Sequence, residues 1–314
     1  METRRSFIIK AVLSGAAFSA PFIDLFASNS VLNSTEPKLS LAQWSLNRAF
    51  SKGELNPRDF PDIAKNYFDL NAVEYVNEFY KEYAKSEKYW NQLKSNANAA
   101  GVKNLLIMVD DEGELGNPNN DERTQAVENH YKWINAAKLL GCHSIRVNAF
   151  GNGNKITLKN ALVDGLSRLS EYGAKEKINV LIENHGLHTS DGKFMTSIIK
   201  EVNNKHLGTL PDFGNWCLSA KWGSTQNNKC TDMYDPYQGV ADFLPYAKGV
   251  SAKSYNFDTN GNETFLDYKR LLKMVKDSGF DGYIGIEYEG EKLSEPEGIK
   301  ATRALIEKVW LNLE

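Results

Sequence analysis

From residue 39 to the C-terminus, short apolar runs alternate with longer stretches in which apolar residues recur every three or four positions. The short runs, 39–45, 72–76, 104–109, 144–149, 178–184, 206–212, 247–253 and 282–288, predict eight strands. Their starts lie 28 to 41 residues apart, the interval of a strand followed by a helix and a return loop. The helical segments predicted between and after them are 61–68, 86–100, 120–140, 157–174, 191–203, 235–246, 263–278 and 295–312. Within 120–140, Val127, Tyr131, Ile134, Ala137 and Leu140 form one apolar stripe; Leu158, Leu162, Leu166 and Leu169 form another within 157–174. Eight βα units in unbroken series predict an α/β fold, a single-domain (β/α)8 TIM barrel. A doubly wound open sheet would carry a glycine-rich phosphate loop after its first strand, and Gln43-Trp44-Ser45-Leu46-Asn47-Arg48 is no such loop. The longest connection, 214–233, is rich in Asn, Gly, Ser and Lys and reads equally as a lid over the barrel mouth or as surface decoration.

Ahead of the barrel, Thr3-Arg4-Arg5-Ser6-Phe7 and Lys10 precede a small-residue apolar segment, 11–22, that is short for a membrane span. Residues 1–27 therefore read as a twin-arginine export signal, with an ordinary secretory signal or an uncleaved anchor as the alternative, 28–37 as a linker and 38–314 as the barrel, and an exported, periplasmic mature chain is expected. The 314-residue chain has a formal charge of −3; residues 1–27 hold three basic and two acidic side chains, so the mature charge is −4. That balance argues against a nucleic-acid partner, and no second apolar run approaches spanning length. Three cysteines, Cys142, Cys217 and Cys230, make no disulfide framework; at most one pair forms, and three buried or half-buried thiols are expected. Their spacing matches no zinc motif.

The chemistry gathers where strands end. Val180-Leu181-Ile182-Glu183-Asn184-His185-Gly186, Leu210-Pro211-Asp212-Phe213-Gly214-Asn215 and Ile284-Gly285-Ile286-Glu287-Tyr288-Glu289-Gly290 each run from apolar residues into an acid, with glycine soon after. In a barrel the carboxyl ends of the strands converge on one pocket, so Glu183, Asp212 and Glu287 should meet there. A single strand-end acid is more often a helix cap or surface partner; three at matched positions point to a site. Three carboxylates in one hollow need neutralising, and a divalent cation (Mn, Mg, Co or Zn) is the simplest way. Lys253, at the end of the seventh strand, is an alternative neutraliser that needs no metal. Arg146, a charge inside the fourth strand, reads either as a substrate contact or as half of a structural ion pair. His185 reads as a ligand, a proton shuttle or a hydrogen-bonded loop histidine, and His188 as loop surface.

These strand ends, with Ala72-Val73-Glu74-Tyr75-Val76 and Ser251-Ala252-Lys253-Ser254-Tyr255, resemble the xylose isomerase-like barrel superfamily of sugar phosphate isomerases and epimerases along essentially the whole mature chain. The resemblance implies a divalent ion held by Glu183, Asp212 and Glu287, with a fourth ligand that is His in the family's Val-His-Ala-Lys pattern and is Ser251 here. It further implies that Glu183 and Glu287 move protons beside a carbonyl through an enediolate. Arg146, Asn148, His185, Lys253 and Glu289 would orient a carbohydrate, and Trp44 and Trp216 would supply an apolar wall or simply pack. Export favours a free sugar, keto-sugar or glycoside over a sugar phosphate. Isomerisation or epimerisation, elimination from a keto-glycoside by the same machinery, and carbohydrate binding without catalysis are the three functions the resemblance admits.

Overall fold

A computed structural model describes residues 36–223 and 230–313. The expected export signal and nearly all of the linker lie outside the described residues, as does 224–229 of the long loop. Eight parallel strands, β1 (Leu39–Ala42), β2 (Ala72–Val76), β3 (Lys103–Val109), β4 (Ser144–Val147), β5 (Asn179–Glu183), β6 (Leu207–Leu210), β7 (Val250–Ser254) and β8 (Ile284–Tyr288), pair in the order β6-β5-β4-β3-β2-β1-β8-β7. The seam between β6 and β7 closes through two isolated parallel bridges, Thr209 with Ala247 and Asp212 with Ser251. Around the strands lie α1 (Phe60–Phe68), α2 (Glu87–Ala99), α3 (Asn120–Leu140), α4 (Lys155–Glu176), α5 (Gly192–Val202), α6 (Pro236–Phe243), α7 (Tyr268–Asp277) and α8 (Glu295–Leu311). Among the described residues no helix is long and apolar enough to cross a membrane.

Strand alternation divides the core in two. Val73 and Tyr75, Ile107 and Val109, Ile145 and Val147, Val180 and Ile182, and Ile284 and Ile286 join the large cluster between strands and helices. Ala42, Val76, Leu106, Met108, Leu181 and Leu210 form a separate small cluster inside the barrel. Many of the other alternate positions on the strands are polar, among them Ser40, Glu74, Arg146, Glu183, Ser251, Lys253 and Glu287, all buried. Glu74 accepts from Ser40 Oγ at 2.6 Å. A Cβ added at Gly285 would lie 2.8 Å from Glu74 Oε1, so the missing side chain on β8 is what makes room for it.

Six strands are shorter than their apolar runs predict, β1 and β6 most of all. β1 stops at Ala42 because Gln43 leaves the strand for a 3-10 turn and its Oε1 accepts the Val76 N–H at 3.0 Å. β6 stops at Leu210 because Pro211 has no N–H to give the ladder. The cysteine expectation is corrected: the loop after β6 doubles back so that Cys217 and Cys230 form a disulfide with Cα atoms 5.7 Å apart, and Cys142 is a free, buried thiol.

Glu74 has a measurable consequence for stability. Burial, opposed by the Ser40 hydrogen bond, pushes its pKa from 4.5 to about 7. A carboxyl with a raised folded pKa stabilises the fold while protonated, so stability is lost as pH climbs from the unfolded value through about 7. Glu74→Gln should remove this slope, leaving stability near neutral at pH 5 and raising it at pH 8 by up to about 3 kcal/mol. Urea denaturation at the two pH values measures it, and parallel pH slopes for wild type and variant would contradict the assignment.

Candidate active site

The carboxyl ends of the strands open onto a cavity of about 520 Å3, lined among others by Trp44, Asp110, Arg146, His185, Asn215, Trp222, Lys253, Glu287 and Glu289. A larger hollow of about 850 Å3 lies on the outer surface against α2 and α3, but none of its charged side chains is buried and nothing converges there. Chemistry belongs to the barrel mouth.

At its centre is the Lys253 ammonium, whose side chain is 1 % exposed. Nζ lies 3.0 Å from Glu287 Oε1, 3.1 Å from Glu289 Oε1 and 3.8 Å from Asp212 Oδ2, and donates to Asn215 Oδ1 at 3.3 Å. Burial disfavours its charge, but Asp212, Glu287 and Glu289 outweigh burial and hold the ammonium well above the ordinary lysine range. Ser251 Oγ donates to Asp212 Oδ2 at 2.6 Å and stands 3.3 Å from Glu287 Oε2. Asp212 Oδ1 takes the N–H groups of Gly214 at 2.8 Å and Asn215 at 3.0 Å, while the Asn184 amide exchanges two hydrogen bonds with the Asp212 backbone. Burial nonetheless raises Asp212 to about 7, against Lys253 and with help from Glu287.

On the opposite wall Arg146 Nη1 donates to Asp110 Oδ1 at 2.6 Å, and Nε lies 2.7 Å from Glu183 Oε2. That second contact is an ion pair without an aligned hydrogen bond; Arg146 Nε and Glu183 Oε2 are both buried and hydrogen-bonded to no described residue. Burial dominates Glu183 and, with Asp212 and Glu287 nearby, holds its carboxyl well above the usual range despite Arg146. At Asp110 burial is outweighed by the Arg146 charge and by hydrogen bonds from Arg146 and Asn148, and the pKa falls. Asn148 Nδ2 donates to the same Asp110 oxygen at 2.6 Å, which turns Asn148 Oδ1 toward His185 Nδ1, 2.8 Å away. With the amide so assigned, His185 donates through Nδ1, and burial together with Arg146 and Lys253 keeps the ring neutral, so Nε2 is an acceptor.

Of the acids expected to form the centre, Glu287 lines the cavity, whereas Glu183 and Asp212 are buried and do not. Arg146, His185, Lys253, Glu289 and Trp44 line it as expected, and Asn148 stands behind His185. Trp216 is corrected: it is fully buried against Phe243 and Tyr234 and lines no part of the cavity. His188 is likewise not loop surface; it is half-buried, with Nε2 2.8 Å from Ala149 O. The aromatic wall on that side is Trp222, 4.9 Å from the His185 ring, carried over β5 by a bridge between Lys221 and Gly186. Gly186 permits the crossing, since a Cβ there would meet Ala220 O at 2.2 Å and its φ is +96°. The sequence reading also missed Asp110, although the run 104–109 ends on it just as the other runs end on their acids.

The expected metal ligands do not fit an ion. Among the described residues no group of three or more His, Cys, Asp or Glu side chains is arranged to hold one. Both oxygens of Asp212 are occupied by donors, Glu287 is met by Lys253 and Ser251, and Glu183 faces Arg146. Ser251, in the fourth position, directs its one hydroxyl hydrogen to Asp212 at 2.6 Å and stands within reach of Glu287 at 3.3 Å.

Comparison with known proteins bears on this geometry. Sixty residues, 19 % of the chain, are 35 % identical to a C-glycoside deglycosidase alpha subunit from Arthrobacter globiformis, and they span only 17 % of that protein. Among solved structures, D-psicose 3-epimerase with D-tagatose from Clostridium cellulolyticum H10 superposes with a TM-score of 0.67 at 12 % identity, covering 87 % of this chain and 99 % of that one. The 3-keto-D-glucoside 4-epimerase of E. coli gives 0.59 at 14 % identity, covering 80 % and 94 %. A barrel from Mycobacterium smegmatis in complex with magnesium gives 0.61 at 12 % identity, covering 88 % and 97 %. At such identities these structures establish the fold. Residues 62–309 match the family described as xylose isomerase-like TIM barrel, and the chain belongs to that family.

Proposed function

We propose that the chain is a sugar isomerase or epimerase that removes a proton beside the carbonyl of an uncharged sugar or keto-sugar. The observation that carries this reading is the Lys253 ammonium held 3.0 Å from Glu287, the one strand-end acid of the three that lines the cavity. Glu287 is the base in this reading, and Lys253 offsets the negative charge that develops on the enediolate oxygen. Glu183, across the barrel on β5 and beneath the cavity wall beside Arg146, has its carboxyl pKa raised by burial, and in this reading it is the acid from which the proton is returned to the other face. Proton return to the same carbon is epimerisation, and to its neighbour isomerisation. His185 and Asn215 supply an acceptor and an amide for substrate hydroxyls. No step is drawn through a metal ion, because the donor set does not fit one.

The charge of the cavity supports an uncharged substrate. Its lining includes six carboxylates, Glu78, Asp110, Asp111, Glu287, Glu289 and Glu291, and three cations, Arg48, Arg146 and Lys253. Each cation is already paired: Arg48 lies 3.6 Å from Glu295, and the other two face the acids described above. A phosphate entering this site would meet repulsion with no cation to receive it. A second reading, elimination of the anomeric substituent from a keto-glycoside, draws on the match to the C-glycoside deglycosidase alpha subunit. It uses the same proton abstraction and differs in its products, an unsaturated sugar and a released aglycone.

Glu287→Gln should lower solvent deuterium exchange into a keto-sugar by at least about a hundredfold, the lower end of what one acid–base group contributes. Glu183→Gln should slow epimerised product more than exchange, since it blocks only proton return. Unchanged exchange in Glu287→Gln would remove that residue from the mechanism. After dialysis against manganese and gel filtration, the intact protein should hold well under one ion per chain by elemental mass spectrometry, and its exchange activity should survive a chelator. One manganese per chain, lost in Glu183→Gln with Asp212→Asn, would replace the lysine-centred mechanism with a metal-centred one.

A further inference from the structure

Beside the main cavity is a second hollow of about 220 Å3, and Asp111 and Trp222 belong to the walls of both. Both residues sit in the left-handed backbone region, each with φ 59°, a conformation that a bulky side chain such as Trp rarely adopts. Strain of this kind persists where surrounding structure fixes it and gathers at ligand sites. Trp222 meets His185 edge-on at 4.9 Å on one side and Phe150 at 5.3 Å on the other, so a single ring separates the two hollows.

The second hollow has its own recognition chemistry. His130 is 2 % exposed and lines it, and Nδ1 lies 2.7 Å from Ala126 O, 4 residues earlier on α3. A carbonyl only accepts, so Nδ1 carries the hydrogen and Nε2 is a bare acceptor with no partner among the described residues. Burial keeps the ring neutral. Phe150 and Trp222 supply aromatic rings with the Lys221 ammonium 4.6 and 5.3 Å from their centres, Asp111, Glu112 and Glu114 supply further acceptors, and Asn148 connects the hollow to His185. Aromatic faces combined with several acceptors suit a ring that carries hydroxyl groups.

We propose that the substrate is a glycoside rather than a monosaccharide: its reacting sugar lies over Lys253 and Glu287, and a second hydroxylated ring lies beyond Trp222 against His130. The second ring is either another sugar or a phenolic aglycone, which share this chemistry. This rests on the sugar-site reading above and adds the class of substrate.

The test is calorimetric binding of D-glucose, cellobiose and arbutin to the intact protein, to Trp222→Ala and to His130→Asn. Asn keeps an amide donor where Nδ1 is and places nothing at Nε2. At least one of the two glycosides should bind wild type at least about tenfold more tightly than glucose; cellobiose against arbutin tells sugar from phenol. His130→Asn should weaken that glycoside several-fold and leave glucose within about twofold, and Trp222→Ala should remove most of the glycoside's advantage. Equal affinity for one and two rings, or equal losses for both in His130→Asn, would overturn the proposal while leaving the sugar site standing. If His130→Asn does not fold, Trp222→Ala decides: its exposed ring is not part of the core, and an undiminished glycoside advantage overturns the proposal. No binding of any of the three, together with no deuterium exchange, would sink the sugar-site reading and this proposal with it.

Discussion

The structure of the barrel mouth depends on one buried ammonium. Taking the Lys253 charge out of water is costly, and the cost is met only because Glu287, Glu289 and Asp212 stand within 4 Å of it, as the distances of 3.0, 3.1 and 3.8 Å require. Those carboxylates in turn would repel one another without it. The two requirements fix each other, and they fix the strands that carry them: β7 supplies the lysine, β8 carries Glu287 and leads to Glu289 just past its end, and Asp212 follows closely on β6. The seam between β6 and β7 has few backbone bonds, so the Ser251 and Lys253 contacts with Asp212 also tie the weakest closure of the barrel.

Opposite this centre, Arg146 plays the corresponding part for Asp110 and Glu183. The two cations do not share an acid, so the site has two electrostatic halves facing across the cavity. Neutral His185 and the amides of Asn148 and Asn215 lie between them. A sugar hydroxyl both donates and accepts, and a surface that offers charge on two sides with neutral groups between can satisfy it at several positions. Excess carboxylate adds a second consequence. Burial raises Asp212 and Glu74 to about 7 and raises Glu183 as well, so the acids near the centre hold their protons more tightly than exposed carboxylates do.

The fold was legible because apolar runs and their spacing are local signals, and all eight strands fall within a few residues of their runs. Glu183, Asp212 and Glu287 were legible for the same reason: each ends a run. Asp110 carried the same signal and was overlooked because the run before it was read only as structure. What local pattern could not give was the use of each group once assembled. Lys253 was one neutraliser among two, and only the convergence of β7 and β8 makes it the centre. Trp216 and Trp222 stand six residues apart in one loop, and the path of that loop over Gly186 decides that one is core and the other wall. The Cys217–Cys230 pair depends on the same doubling back.

Ser251 brings these points together. Its Oγ reaches Asp212 at 2.6 Å and Glu287 at 3.3 Å, a gap between two acids that one hydroxyl fills. An imidazole is several atoms larger and would have to push these acids apart, away from the positions in which both reach Lys253. The small hydroxyl places its one hydrogen between the acids, whereas an ion would take lone pairs from them, and a short donor between carboxylates lets them stand close around an ammonium. Ser251 and Lys253, two residues apart on β7, therefore act on the same pair of acids, one through a hydrogen bond and the other through its charge. An ammonium buried and fixed in this way needs no rearrangement to stand beside negative charge.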